Sequence, residues 1–378
     1  MYMTSGIPGT AMYGTFAQPD LTLEQYGRAL ASVRPNRPVG SSFEYANANY
    51  NLLGLIVEAV SGRPYADYVE QQILAPLDMH HTAATPAGER ENGLGPGYQW
   101  WFGFGPFAAD DPYSQANLPT GYMTSTAEDL AHYQIAQING GRYRSARILS
   151  AEGIARMHEA GPNSSMVAMD HQQFGFGMGW GTKVVGDRST LFYNGETFRF
   201  VSHQAIDPQS GWGVVILTNA TNQLPSQDEP YHSLVNGVLA RVDPMLALPA
   251  SSEPSLQVAY AIVDVPLALI SAWIVWGLLG LPRWSTRLDP RLRAGTGRTR
   301  LLLLRVVVEI GVSLGVLLVP PLWLGVGWPV LVYVANDLAL WTLLASSLLL
   351  VTGLVRGGVV LWALQPRRDQ SPILAAEV

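Results

Sequence analysis

The sequence predicts an α+β domain over residues 1–243, followed by three apolar helices long enough to cross a membrane. Three observations carry this. Helical periodicities run through the middle of the first 243 residues, and β-type runs joined by a defined turn follow them. The C-terminal third then holds three long stretches almost without polar residues. Charge divides accordingly: residues 1–250 carry 13 Lys/Arg against 22 Asp/Glu, a net −9, and residues 251–378 carry 10 against 7, a net +3. Lys183 is the only lysine, and no basic stripe exists, which excludes nucleic acid as a partner because phosphate binding needs clustered cations. Cysteine is absent, which excludes a disulfide scaffold and a thiolate metal site. The histidines are scattered, with His80 and His81 adjacent and no His-x-x-x-His spacing, so no metal and no cofactor is expected.

The first helix is marked by Tyr50, Leu53, Ile56 and Val60 at helical spacing, with Ser61-Gly62 as its C-terminal cap. Pro64 opens a second, with Tyr68, Val69 and Ile73 on one face and Pro76 as its stop. A third begins at Ser125 with Glu128 completing a capping box, and closes at Asn139-Gly140. A short fourth starts near Ser150. Thr190–Tyr193, Phe198–Ile206 and Gly213–Thr218 read as strands, the last two joined by the turn-forming Asp207-Pro208-Gln209-Ser210-Gly211. Lys183 reads as a solvated turn residue and Asp110-Asp111 as a polar loop. A final helix is expected over Tyr231–Val242, and residues 244–257, with prolines at 244, 249 and 254, read as a linker.

The apolar stretches are 258–281, 306–323 and 331–355, each near the ~20 residues that span a bilayer. Arg283, Arg287, Arg291, Arg293, Arg298, Arg300 and Arg305 lie between the first and second; Arg356, Arg367 and Arg368 follow the third. The connection over 324–330 has no cation. With three spans, all these arginines fall on one side, so a cell-membrane protein is expected with its domain outside the cytoplasm and its C-terminus inside. Asp264, Glu309 and Asp337 lie within the spans. Glu309 sits four residues from Arg305, a helical pairing distance, so anchoring is favoured over a transport path.

Five strings carry the chemistry. They are Met3-Thr4-Ser5-Gly6-Ile7-Pro8-Gly9, the run Phe43 to Ile56 with Tyr45-Ala46-Asn47 inside it, Leu118 to Leu130, Phe174 to Trp180, and Tyr193-Asn194-Gly195. In this order they resemble the serine β-lactamase and penicillin-binding family, on its class C-like and D-alanyl-D-alanine carboxypeptidase-like branch. The resemblance covers residues 1 to about 240. It implies an antiparallel sheet with a helical lobe and an acyl-enzyme mechanism. The substrate implied is a small-molecule or peptide acyl group, including cell-wall peptide. In that family a Ser-x-x-Lys gives nucleophile and amine, a Tyr-x-Asn loop gives a proton-exchanging phenol and an amide, and a Lys- or His-x-Gly strand lines the oxyanion hole. The resemblance implies Tyr45 as catalytic and Asn47, Tyr193, Asn194 and Gly195 as substrate-binding. From the residues alone, Tyr45 and Asn47 also read as a satisfied helix-entry loop, and Tyr193 as a packed strand aromatic.

The chain departs from the family in one decisive respect. Trp180 stands three residues before Lys183, so no Ser-x-x-Lys exists, and Tyr193 stands where a cation opens the strand, with Arg199 a nearby candidate substitute. A phenol with pKa ~10 needs adjacent cations to act as a base near neutrality. As written, the cleft lacks nucleophile and activators, so the expectation is a membrane-anchored serine hydrolase that is inactive as this chain. The alternative is a non-catalytic binder of cell-wall peptide or protein on the same fold. Residues 1–30 also lack a basic start and an apolar stretch. Both absences suggest that Met1 is a wrongly chosen start or that the gene is degraded. The missing helix would cover on the order of 1,000 Å² of apolar surface, worth ~25 kcal/mol against a domain stability of ~5–15 kcal/mol. Protein made from Met1 is therefore expected to be poorly folded, and a sharp cooperative melt would contradict this.

Overall fold

A computed structural model describes residues 2–11, 15–16, 18, 20–109, 111, 113–167, 173–185, 187–221, 228–244, 256–280, 296–324 and 327–364. The chain divides into two compact units, Met1–Ala261 and Ile262–Val378. The expected linker lies outside the described residues apart from its ends, as do Asp110, the loop arginines 283–293 and the tail arginines 367 and 368.

The first unit contains helices α1 (Leu23–Leu30), α2 (Ala48–Ser61), α3 (Tyr65–Val69), α4 (Pro86–Glu91), α5 (Leu118–Gly121), α6 (Ala127–Ile138), α7 (Ala151–His158) and α8 (Asp228–Val242). Its principal sheet has six antiparallel strands: β5 (Ser165–Val167), β6 (Gln173–Phe176), β7 (Gly181–Val185), β8 (Arg188–Glu196), β9 (Val201–Asp207) and β10 (Trp212–Thr218), in the order β10-β9-β8-β7-β6-β5. Shorter strands β1 (Tyr98–Trp100) and β2 (Pro106–Ala108) form a hairpin that β11 (Ala220–Thr221) joins in parallel, and β3 (Arg142–Tyr143) pairs with β4 (Ala146–Arg147). Side chains two apart on a strand share a face. Leu191 and Tyr193 of β8 therefore join Ile206, Trp180 and the α6 residues Tyr133 and Ile138 in one cluster. Phe192 turns to the other face, where Ala205 and Val214 pack on Val235 and Leu239 of α8. The α+β class is as the sequence predicts, with helices on both faces of the sheet.

Several elements differ from expectation, each for a physical reason. Helix α2 ends at Gly62 with φ of 68°, the left-handed cap foreseen, but it does not bury the apolar face. Ile56 and Val60 are exposed, whereas Asn49, Asn51 and Gly54 are buried. Paired amides and a close approach select that face: Asn51 Nδ2 donates to Asn117 Oδ1 at 2.8 Å, and Gly54 leaves no room for a side chain beside Pro119. The cap of α6 is Thr126, accepting from Asp129 N at 3.2 Å, not Ser125. Ser125 Oγ is engaged 2.7 Å from Thr82 Oγ1. After α3 the backbone widens over Glu70–Leu74 and tightens over Ala75–Leu77, so the chain passes Pro76 without a clean stop. Lys183 stands inside β7 opposite Thr190, not in a turn. Strand β9 starts at Val201 because Thr197–Phe200 is a turn closed by Thr197 N donating to Phe200 O at 2.9 Å. Helix α1 was not foreseen, although Thr22 and Gln25 form a reciprocal capping box.

The turn after β9 closes on Asp207, which is fully buried. Its Oδ1 accepts from Gln209 N at 2.8 Å and Ser210 N at 3.2 Å, and Oδ2 pairs with Arg188, which also reaches Asp243 Oδ2 at 2.7 Å. Asp207→Ala strips a buried turn of these charge-assisted bonds and is expected to cost about 2 kcal/mol, read as a lowered urea midpoint at unchanged slope.

The second unit and its lead-in hold α9 (Leu256–Leu279), α10 (Thr296–Leu324), α11 (Trp328–Val334) and α12 (Asn336–Leu364). Three segments are long and apolar enough to cross a membrane: Gln257–Leu279, Leu303–Leu322 and Asn336–Trp362. The third differs from the expected 331–355 because Ala335 breaks the helix and α12 runs on past Val355. Arg356 is consequently inside the helix rather than in the tail, 5% exposed. It pairs with Glu309, which also accepts from Arg305 Nε at 3.0 Å as its spacing foretold, and Arg356 Nη2 donates to Gly277 O at 3.3 Å. One buried pair thus ties α12 to α10 and α9. Glu309→Leu leaves Arg356 buried without its carboxylate and is expected to cost about 3–5 kcal/mol, whereas Glu309→Leu with Arg356→Leu recovers most of it. Thermal aggregation of the detergent-solubilised variants checks this; equal losses would assign the pair no coupling.

Candidate active site

The site starts from a carboxylate. Glu44 accepts from Gly9 N at 2.7 Å and Asn36 Nδ2 at 3.0 Å, and pairs with Arg37 Nη2 at 2.6 Å. These partners, the Gly9 N–H foremost, hold its carboxyl below the usual carboxylate range. The opening string is thereby tied to the loop before α2. Glu44 N donates to Met3 O at 2.8 Å, and a side chain at Gly9 would stand 2.6 Å from Tyr45 O. The third string closes on the same loop, with Thr120 Oγ1 donating to Asn47 O at 3.0 Å.

Across from this loop lies β8. The hydroxyls of Tyr45 and Tyr193 are 3.0 Å apart although 148 positions separate them in sequence. The fourth string contributes Phe176, whose ring meets Phe43 edge-on at 5.4 Å and lies 6.4 Å from Tyr193. A side chain at Gly179 would stand 3.4 Å from the Tyr50 hydroxyl. All five strings therefore meet around a patch of phenols and phenyl rings.

Of the residues singled out from sequence, the structure brings Tyr45 and Tyr193 together. Asn47 enters α2 in helical conformation, its carbonyl accepting from Thr120 and from Tyr50 N at 3.0 Å and its side chain making no cap bond. Asn194, one residue on from Tyr193, faces the other side of the sheet, where its Oδ1 lies 2.6 Å from Nδ1 of the fully buried His203. At Gly195 a side chain would stand 2.5 Å from Ser202 Oγ, so the bare backbone permits the strands' approach. Arg199, considered as a substitute cation, is 3% exposed and donates through Nη1 to Phe198 O at 2.7 Å. Tyr50, expected only as a helix-face residue, is a third member: its hydroxyl is buried with no hydrogen-bond partner among the described residues. Its place in the same string as Tyr45 was the one available signal.

The electrostatics of the patch run opposite to what base catalysis requires. Burial raises the Tyr45 phenol above its ordinary value, partly offset by the Tyr193 hydroxyl. Tyr193 is pushed well above 10 by burial, then by Tyr45 and Tyr50. Burial likewise raises Tyr50, with Tyr45 and Tyr133 adding to it. No cation contributes to any of the three shifts. These residues form an uncharged, hydrogen-bonding face at neutral pH.

A tyrosine raised on folding stabilises the protein fully below the unfolded value of about 10, and that contribution is lost as pH climbs past it, because the unfolded chain ionises first. Stability is expected to fall above about pH 10. Tyr45→Phe with Tyr193→Phe should flatten that alkaline limb in urea midpoints taken against pH. An unchanged limb would assign it to other tyrosines.

Residues 1–236 match the family described as beta-lactamase. A Staphylococcus aureus protein named flp is 27% identical over 222 residues, 58% of this chain and 42% of that protein. An Escherichia coli protein carrying the proposed name D-alanyl-D-alanine carboxypeptidase is 25% identical over 240 residues, 56% of this chain and 52% of its own. The chain spans about half the length of these relatives. The solved structure of an octameric penicillin-binding protein homologue from Pyrococcus abyssi shares the fold at TM-score 0.54 and 23% identity, over 66% of this chain and 56% of that one.

Proposed function

The chain belongs to the beta-lactamase family, and from that membership we propose that it forms the phenol side of a membrane-anchored serine hydrolase cleft. The substrate class is an acyl group carried by a peptide, amide, ester or lactam. The observation that carries this is the meeting of Tyr45 and Tyr193 hydroxyls at 3.0 Å, between the loop before α2 and the strand β8. Tyr45 is the proton-transfer group. Asn47, Tyr193 and the Gly195 backbone form the substrate side, whereas Asn194, expected there from sequence, faces away and supports β8 through its bond with His203.

A serine attacking a carbonyl must give up its proton, and the leaving group must receive one. A phenol does both only as part of a pair with a cation that brings its pKa down. The 378 residues contain no Ser-x-x-Lys, and among the described residues no cation acts on Tyr45. These residues by themselves therefore bind an acyl group without forming an ester to it, and turnover needs a serine and an amine set against Tyr45 from outside them. The second reading, a purely non-catalytic cleft, draws support from the three raised phenols.

Anchoring rests on the three apolar helices, and the arginines give the direction. With Arg356 reassigned to the Glu309 pair, Arg283, Arg287, Arg291, Arg293, Arg298 and Arg300 still lie between the first two spans, and Arg367 and Arg368 after the third. That distribution supports a topology with the N-terminal unit outside the cytoplasm.

Fluorophosphonate and penicillin probes test both readings. The 378-residue protein is expected to stay unlabelled, and an ester mapped to one of its serines would sink the assignment. Given a Ser-x-x-Lys segment that completes the cleft, the protein is expected to label at that serine, with Tyr45→Phe slowing acylation by about 10²–10⁴-fold. Absence of label there supports the non-catalytic cleft.

A further inference from the structure

The hairpin β1–β2 ends in an aromatic tip, Trp100-Trp101-Phe102-Gly103-Phe104-Gly105-Pro106-Phe107. Phe104 is 86% exposed and Phe107 55%. Trp101 lies between the rings of Phe102 and Phe107, each 6.3 Å away. The tip is a built turn: Phe104 N donates to Trp101 O at 2.9 Å, Trp101 N donates to Gly105 O at 3.2 Å, and Phe102 is held at φ of 45°, a left-handed conformation costly for an aromatic residue. Leaving apolar rings in water at the end of a defined turn calls for something to receive them.

What receives them follows from the base of the hairpin. Trp100 packs 6.3 Å from the ring of Tyr260, and Gly103 approaches Tyr260 so closely that a side chain there would stand 2.9 Å from its Cβ. Tyr260 is 5% exposed and belongs to the same compact unit, yet it is also the fifth residue of α9, whose apolar span begins at Gln257. At 1.5 Å per residue the 23 residues of that span reach about 35 Å, against ~30 Å of hydrocarbon. Its first turn therefore falls in the interfacial layer, where amphipathic aromatic rings concentrate.

We propose that the Trp101–Phe107 tip is a bilayer contact that dips into the lipid interface beside the start of α9. The inference rests on the membrane-anchored reading of α9. Its consequence concerns the cleft. Strand β1 pairs with β11 at Tyr98 and Gln99, β11 follows β10 after one residue, and Thr221 Oγ1 reaches Glu196 Oε1, just past Gly195, at 3.5 Å. A tip fixed in lipid holds the β8 edge at a set height and tilt above the membrane, which suits a substrate presented close to that surface.

The 378 residues contain no cysteine, so single substitutions give unique labels. Phe104→Cys, Trp212→Cys and Leu269→Cys, all at exposed positions, would be introduced one at a time into this protein. Each would carry an environment-sensitive fluorophore, in vesicles of phosphatidylcholine and phosphatidylglycerol, with unsubstituted protein as blank. The label at 104 is expected to emit at shorter wavelength than that at 212. It should be quenched by nitroxide placed near the lipid headgroup and be several-fold less sensitive to aqueous iodide. Phe107→Cys gives the same readout should the first variant fold poorly. A label at 104 as open to iodide as that at 212, or shielded but insensitive to lipid nitroxide, overturns the proposal while 269 still reports deep lipid. If 269 is also in water, the membrane reading of α9 falls with it.

Discussion

The arrangement around the cleft hangs on the Glu44 carboxylate. A partly exposed carboxylate is held in place by the donors that meet it, and Glu44 obtains them from three separate places, Gly9, Asn36 and Arg37. Satisfying that one group fixes the path of the loop that follows, and the next residue is Tyr45. Asp207 does the same at the far end of β9, and Glu309 does it among the apolar helices. Each of these carboxylates has an arginine against it. Among the described residues, the phenols of the cleft have none.

That contrast separates the shape of the cleft from its charge. Burial raises the phenols of Tyr45, Tyr50 and Tyr193; Tyr45 and Tyr50 raise Tyr193 further and Tyr45 adds to Tyr50, while the Tyr193 hydroxyl partly offsets the rise at Tyr45. The beta-lactamase fold brings the loop and the strand together through packing, with Phe43, Phe176 and Tyr193 in ring contact. Geometry and charge are separable here, because packing needs only shape, whereas lowering a phenol's pKa needs a specific cation at short range.

The apolar helices show the same rule among themselves. Arg356 follows the predicted third span in sequence and reads as a cation of the tail. The structure extends the helix past it and turns it inward onto Glu309 and Gly277. Buried ionisable groups in such a setting are tolerated when paired, and the pairing joins three helices at one level. The polar bonds Ser313 Oγ to Ser346 O at 2.7 Å and Trp341 Nε1 to Ser271 Oγ at 2.9 Å join the same helices elsewhere.

What the sequence determined by itself was what depends on near neighbours. The α+β class, the left-handed stop at Gly62, the Asp207 turn, the Arg305–Glu309 spacing and the apolar spans are all set within a few residues of each other. The order of the five strings located Tyr45 and Tyr193. What only the tertiary structure decided was which partner each side chain finds across the chain. Hydrophobicity alone put the wrong face of α2 inside, because the amides of Asn51 and Asn117, 66 positions apart, and the bare Gly54 against Pro119 settle the matter only across the chain. Ser125 lost the cap to Thr126 because of Thr82, and Lys183 became a strand residue because β8 lies beside it. Tyr193 and Asn194 are adjacent in sequence, yet the two-residue period of a strand sends one to Tyr45 and the other to His203. Local spacing fixes which elements form, and long-range pairing fixes which of their faces does the chemistry.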